Sequence, residues 1–162
     1  MELIPTGRLA LLSEMEERYE NKDKEYFVKL LNNEDFVIRC RAVCILVDMG
    51  GEDVVPHIST VLKNDGNELV RHEAAFSLGQ MCLRSGIKPL EDATRNDPSL
   101  FVRHEAAVAL GVIGSQEARE TLQKALLDSS EQVRDSAVVA LSNLKFMENL
   151  CKNEKFAKLT GG

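Results

Sequence analysis

Apolar residues recur along this chain at a spacing of four. Val70, Ala74 and Leu78 form one such series, and Val102, Ala106 and Leu110 repeat it. That period paints a single buried stripe on an α-helix, whereas a strand would alternate every second residue. It predicts long helices beginning near Phe36, Leu69, Phe101 and Gln132. Shorter amphipathic segments, VVPHISTVLKN and ARETLQKALL among them, lie between these helices and are bounded by Gly50-Gly51, Gly86 and Gly114. Asp35, Asn67, Asp97 and Ser130 stand where an N-cap is wanted before each long helix, since their side chains accept from free backbone N–H groups there.

The long segments are copies of one unit. Arg39, Arg71, Arg103 and Arg134 fall 32, 32 and 31 residues apart. Ala42, Ala74, Ala106 and Ala137 keep that register, as do Leu46, Leu78, Leu110 and Leu141. A helical hairpin of this size cannot bury its own apolar stripe, so successive hairpins must stack into a solenoid. The Val-Arg pair, the following Ala-Ala and the prolines Pro56 and Pro89 make the pattern resemble HEAT-like repeats, including the short variety of phycobilin lyases. The expectation is an all-α, HEAT-like α-α superhelix forming a single domain over residues 1–162. Its repeats would span roughly 23–50, 51–83, 84–115 and 116–145. Terminal helices over 1–22 and 146–159 would cap its ends.

Composition agrees with helix-on-helix packing. Aromatic residues are 5% of the chain and Trp is absent, while small Ala side chains let helices approach closely. No run of about 18 apolar residues is present, which excludes a membrane-spanning helix, and the early acidic residues argue against a secretory leader. The net charge of −6 argues against a nucleic-acid partner. Residues 34–144 carry 11 basic and 17 acidic side chains, so this stretch alone accounts for the excess and suits a cationic ligand. Four cysteines without a leader imply reduced thiols and a cytoplasmic location. Cys40 and Cys44, four apart, read as small buried apolar residues.

Two of the three histidines occupy the same repeat position, and each precedes a glutamate: His72-Glu73 and His104-Glu105. The outer repeats carry Cys40-Arg41 and Asp135-Ser136 there, so the framework does not require the pair. Helices stacked about 8–10 Å apart allow two equivalent imidazoles to converge on one metal ion at ~2.1 Å. Adjacent helical residues differ by about 100° in direction, which turns Glu73 and Glu105 aside from the histidines. Gly79 and Gly111, each seven residues beyond a histidine, share its face and would leave it open to a substrate. Imidazole and carboxylate together suit iron, manganese or zinc. The HEAAF and HEAAV segments lack the second histidine of a zinc-protease helix.

VRHEAAFSLGQM followed 32 residues later by VRHEAAVALGVIG resembles one half of the deoxyhypusine hydroxylase family, di-iron proteins built of two similar four-repeat halves. The resemblance implies a monooxygenase that hydroxylates the deoxyhypusine side chain of the hypusine-containing translation initiation factor, with dioxygen as co-substrate. It implies that His72 and His104 hold one iron. Glu73 would reach the iron of the other half, and Glu105 would be a weaker ligand or a contact for the substrate amine. Both glutamates would thus serve catalysis as well as the metal. The family carries four His-Glu motifs in one chain and this sequence has two, so a homodimer would be needed to complete a di-iron centre. Two alternatives stay open: a non-catalytic HEAT-repeat interaction scaffold, like a lyase-type adaptor, and a structural metal-binding dimer.

Overall fold

A computed structural model describes residues 6–160 of the chain, and residues 1–5 of the expected first terminal helix lie outside them. The described residues form nine α-helices and no strand: α1 (Thr6–Glu20), α2 (Lys24–Leu30), α3 (Phe36–Met49), α4 (Val55–Asn64), α5 (Glu68–Met81), α6 (Ile87–Asn96), α7 (Leu100–Ile113), α8 (Arg119–Ala125) and α9 (Glu131–Thr160). Four hairpins follow α1, pairing α2 with α3, α4 with α5, α6 with α7 and α8 with α9. The long helices α3, α5, α7 and α9 pack side by side in one layer, and the short helices form the other.

The period-four stripe explains the core. Val70, Ala74 and Leu78 of α5 and Val102, Ala106 and Leu110 of α7 are all fully buried. Ile58, Leu62, Leu90 and Leu122 of the short helices meet them from the opposite layer. Burying side chains of this size contributes about 1.5–3 kcal/mol each. Met15 ties α1 into the same core. Asp35, Asn67 and Ser99 hold the N-cap positions of α3, α5 and α7. The expected cap Asp97 is therefore displaced by two residues, because its carboxylate has another task.

That task belongs to a ladder of arginines. Arg39 donates Nε and Nη2 to Asp65 at 2.7 and 2.9 Å, Arg71 to Asp97 at 2.8 and 3.0 Å, and Arg103 to Asp128 at 2.8 and 3.0 Å. The remaining Nη1 donates to a carbonyl before its own helix: Asn33 for Arg39, Asp65 for Arg71, Asp97 for Arg103 and Asp128 for Arg134. Each aspartate thus binds two successive arginines, one through its carboxylate and one through its backbone. It also accepts from the N–H two residues on, at Asn67, Ser99 or Ser130. Such bidentate bonds fix direction as well as distance.

Glycines set the spacing within the long layer. A Cβ on Gly79 would sit 2.7 Å from the Ala109 Cβ, and one on Gly111 2.7 Å from the Ala140 Cβ. These glycines lie on the flank of each histidine helix that packs against the next helix. They permit close helix contact and do not open a substrate cleft. At the C-terminal end, α9 runs unbroken through the expected boundary at 145/146, since no Gly or Pro interrupts residues 131–160. No described helix is long and apolar enough to cross a membrane.

The ladder should carry stability. Its Arg71–Asp97 rung is shielded, with side-chain exposures of 10% and 6%. Arg71→Met should cost about 3–5 kcal/mol in urea denaturation, because it leaves the Asp97 charge without a counter-ion. Acid should act on the same ladder. The Arg103 guanidinium holds the Asp128 carboxyl below its ordinary range against the opposing effect of burial. Burial pushes the Asp65 carboxyl up, yet Arg39 and the Asn67 N–H outweigh it and the net direction is down. Depressed carboxyls stabilise the fold above their unfolded value of about 3.9 and lose that contribution as pH falls below it. Thermal melts between pH 5 and 2 should show this loss, and Arg103→Met should make the decline shallower.

Candidate metal centre

The ladder orients the outer face of the long-helix layer, where one row of positions crosses α3, α5, α7 and α9. From the first repeat to the fourth the row reads Cys40-Arg41, His72-Glu73, His104-Glu105 and Asp135-Ser136. In the two middle pairs the histidine leans toward the following helix and the glutamate toward the preceding one, as the 100° helical step allows. His72 of α5 therefore meets Glu105 of α7, with Nε2 3.4 Å from Oε2. His104 of α7 meets Ser136 of α9, with Nδ1 2.6 Å from Oγ. Glu73 of α5 accepts a hydrogen bond at 3.0 Å from the Sγ of Cys44, on α3.

All four candidate ligands lie on this face, but they are engaged one by one. His72 and Glu105 come together within one chain, while Glu73 and His104 have separate partners. Cys44 is the contact residue that the sequence reading did not place beside the row. Cys44 is exposed, contrary to the expectation of a buried thiol, because it sits one turn beyond Cys40 toward α5. Ser136 stands where the register put it, in the place of Glu73 and Glu105, and its bond to His104 is the part that the register does not name.

The electrostatics follow from these pairings. The Glu105 carboxylate raises the His72 pKa above its ordinary value, outweighing partial burial, and Glu73 adds to the rise. The Cys44 thiol is pushed up to about 12, first by the packing around its sulfur and then by its bond to Glu73. Cys44 is thus a protonated donor at neutral pH and a poor nucleophile.

Two donors of one metal ion, each at about 2.1 Å, stand about 3.0–3.4 Å apart for angles between octahedral and tetrahedral. The 3.4 Å between His72 and Glu105 falls in that interval. Imidazole nitrogen with carboxylate oxygen is a donor set that suits iron. Among the described residues, however, no three His, Cys, Asp or Glu side chains converge closely enough to hold an ion. The residues fit iron as part of a ligand set.

The row is a shallow surface, and the larger hollows lie elsewhere. A groove of about 720 Å³ separates α4 from α6 on the other layer, with Lys63, Lys88 and Arg95 along it. A hollow of about 480 Å³, bounded by Tyr19, Arg41 and Asp48, reaches the row through Cys44.

Comparison with known proteins agrees with the repeat architecture. A family model described as HEAT repeats matches residues 55–142. Deoxyhypusine hydroxylase of Dictyostelium discoideum is 41% identical over 119 residues, covering 73% of this chain and 38% of the relative. Its counterpart in Candida albicans is 38% identical over 128 residues, covering 75% and 39%. The chain is a HEAT-repeat protein of the deoxyhypusine hydroxylase family. The solved structure of human deoxyhypusine hydroxylase in complex with glycerol superposes with a TM-score of 0.72 at 29% identity, over 85% of this chain and 48% of that one. The chain thus spans less than half the length of these deoxyhypusine hydroxylases.

The His72–Glu105 contact has a direct readout. A raised pKa means that the proton on His72 is held until the solution is more alkaline than the ordinary value of about 6.5. In metal-free protein, NMR titration should find His72 above that value, and Glu105→Gln should bring it down.

Proposed function

We propose that this chain is a half-length deoxyhypusine hydroxylase-type monooxygenase whose iron centre is completed between two copies. The observation that carries the reading is the pair of His-Glu motifs in consecutive repeats, with His72 and Glu105 at a separation suited to one ion and, among the described residues, no third ligand close enough to join them. In this reading His72 and His104 supply imidazoles to one iron, Glu105 stands beside them, and Glu73 serves the iron of the partner. Iron bound there would activate dioxygen for hydroxylation of a carbon chain. The chain's own part is to hold imidazoles and carboxylates in place and to bind the substrate. Cys44 holds Glu73 through its thiol proton, so the carboxylate keeps one orientation. Glu73, Glu105 and the exposed Asp135 make the row attractive to the cationic amine of a deoxyhypusine side chain on the translation initiation factor.

The homodimer finds support in what flanks the row. Leu69 and Phe101 are exposed on one side of it, and Phe76, Val112 and Val139 on the other. Large apolar side chains around a polar centre are what a second copy would cover, excluding water from the site. The same apolar rim also suits the second reading, an interaction scaffold without metal, which protein purified without iron and unable to take it up would favour.

Mixing mutant chains tests the shared site. His72→Ala and Glu73→Ala homodimers each carry two damaged sites. In the mixed dimer one site loses both residues, while the other keeps both histidines of one chain and Glu73 of its mate. Iron binding should therefore recover in part on mixing and in neither parent alone. Parents that bind iron normally, or a mixture that never recovers, would contradict the shared site.

A further inference from the structure

The two histidines occupy one repeat position yet are held by different atoms. His72 turns Nε2 to a carboxylate, whereas His104 turns Nδ1 to the hydroxyl of Ser136. Ser136 is buried, at 6% exposure, and its Oγ also lies 2.7 Å from the backbone carbonyl of Gln132, one turn earlier on α9. A carbonyl oxygen can only accept, and a serine hydroxyl has one proton to give. That proton goes to Gln132, so toward His104 the Ser136 Oγ offers lone pairs only. The proton of the 2.6 Å bond must then come from Nδ1. A neutral imidazole carries a single N–H, and its other nitrogen keeps a free lone pair.

We infer that Ser136 is a positioning residue for the metal site: it locks His104 in the Nδ1–H tautomer and so presents Nε2 as the ligating nitrogen. The inference rests on the iron reading above and adds the residue that decides which nitrogen binds. It also gives a role to a departure from the repeat. Ser136 stands at the position of Glu73 and Glu105, and a glutamate there would place a charge against His104. The serine holds the ring through a neutral group. Its hydrogen-bond chain, His104 Nδ1–H to Ser136 Oγ–H to the Gln132 carbonyl, ends in the helix backbone and moves only with α9.

Nitrogen-15 NMR of the imidazoles in metal-free protein reads the tautomer directly. The expected result is a protonated Nδ1 and an unprotonated Nε2 on His104. Ser136→Ala should lose that preference and admit the Nε2–H form. Ser136→Thr, which keeps the hydroxyl, should retain it. Cobalt(II), used as a spectroscopic probe of the same donors, should bind Ser136→Ala about 10–100-fold more weakly than wild type and Ser136→Thr near normally. An Nε2–H tautomer in wild-type protein would overturn the inference whatever the variants do. So would a folded Ser136→Ala chain with wild-type tautomer and wild-type cobalt affinity. Wild-type protein with the Nδ1–H tautomer but no affinity for cobalt or iron would instead overturn the metal reading beneath it, and with it the ligand-presenting role.

Discussion

The arginine–aspartate ladder is the constraint from which the rest of this molecule follows. Apolar stripes bring the hairpins together, but area burial has no direction and would tolerate sliding of one helix along the next. A guanidinium held by a carboxylate of the following loop and by a carbonyl of its own does not slide. Asp65, Asp97 and Asp128 each join two consecutive arginines, so the position of one repeat dictates the position of the next. Gly79 and Gly111 then set how near the helices come, with Ala109 and Ala140 filling the space that a side chain would take.

On a scaffold with fixed register, equivalent residues meet non-equivalent ones in the same way at every step. The histidine of each middle pair touches the second member of the next pair: His72 meets Glu105, and His104 meets Ser136, while Glu73 meets Cys44, one turn beyond Cys40. Because the sequence changes along the row while the geometry does not, one backbone yields two different imidazole environments. A carboxylate favours the charged form of His72, while a hydroxyl already committed to a carbonyl selects a tautomer of His104. In the reading proposed above, a metal site within such a row draws further ligands from a second copy.

Much of this was legible in the sequence because register is itself a sequence property. Arg39, Arg71, Arg103 and Arg134 announced four hairpins, and the His-Glu pairs marked the row and suggested the family. What stayed hidden were contacts that a periodic pattern does not name. Asp97 looked like a helix cap, but the arginine 26 residues before it claims its carboxylate, and Ser99 takes the cap position. Cys44 looked like core because its neighbours are apolar, yet it points to the open face and meets Glu73. Gly79 and Gly111 looked like clearance for a substrate, but spacing alone cannot tell an open flank from one covered by the next helix. The end of the fourth repeat carried no stop signal, and α9 accordingly continues to Thr160.

In the proposed reading one chain holds half of a metal centre. Analytical ultracentrifugation of untagged, iron-loaded protein, with iron content determined on the sedimenting species, addresses it most directly. The account predicts a species of two chains carrying about one iron per chain. A monomer that retains two irons, or a dimer that excludes iron altogether, would contradict it.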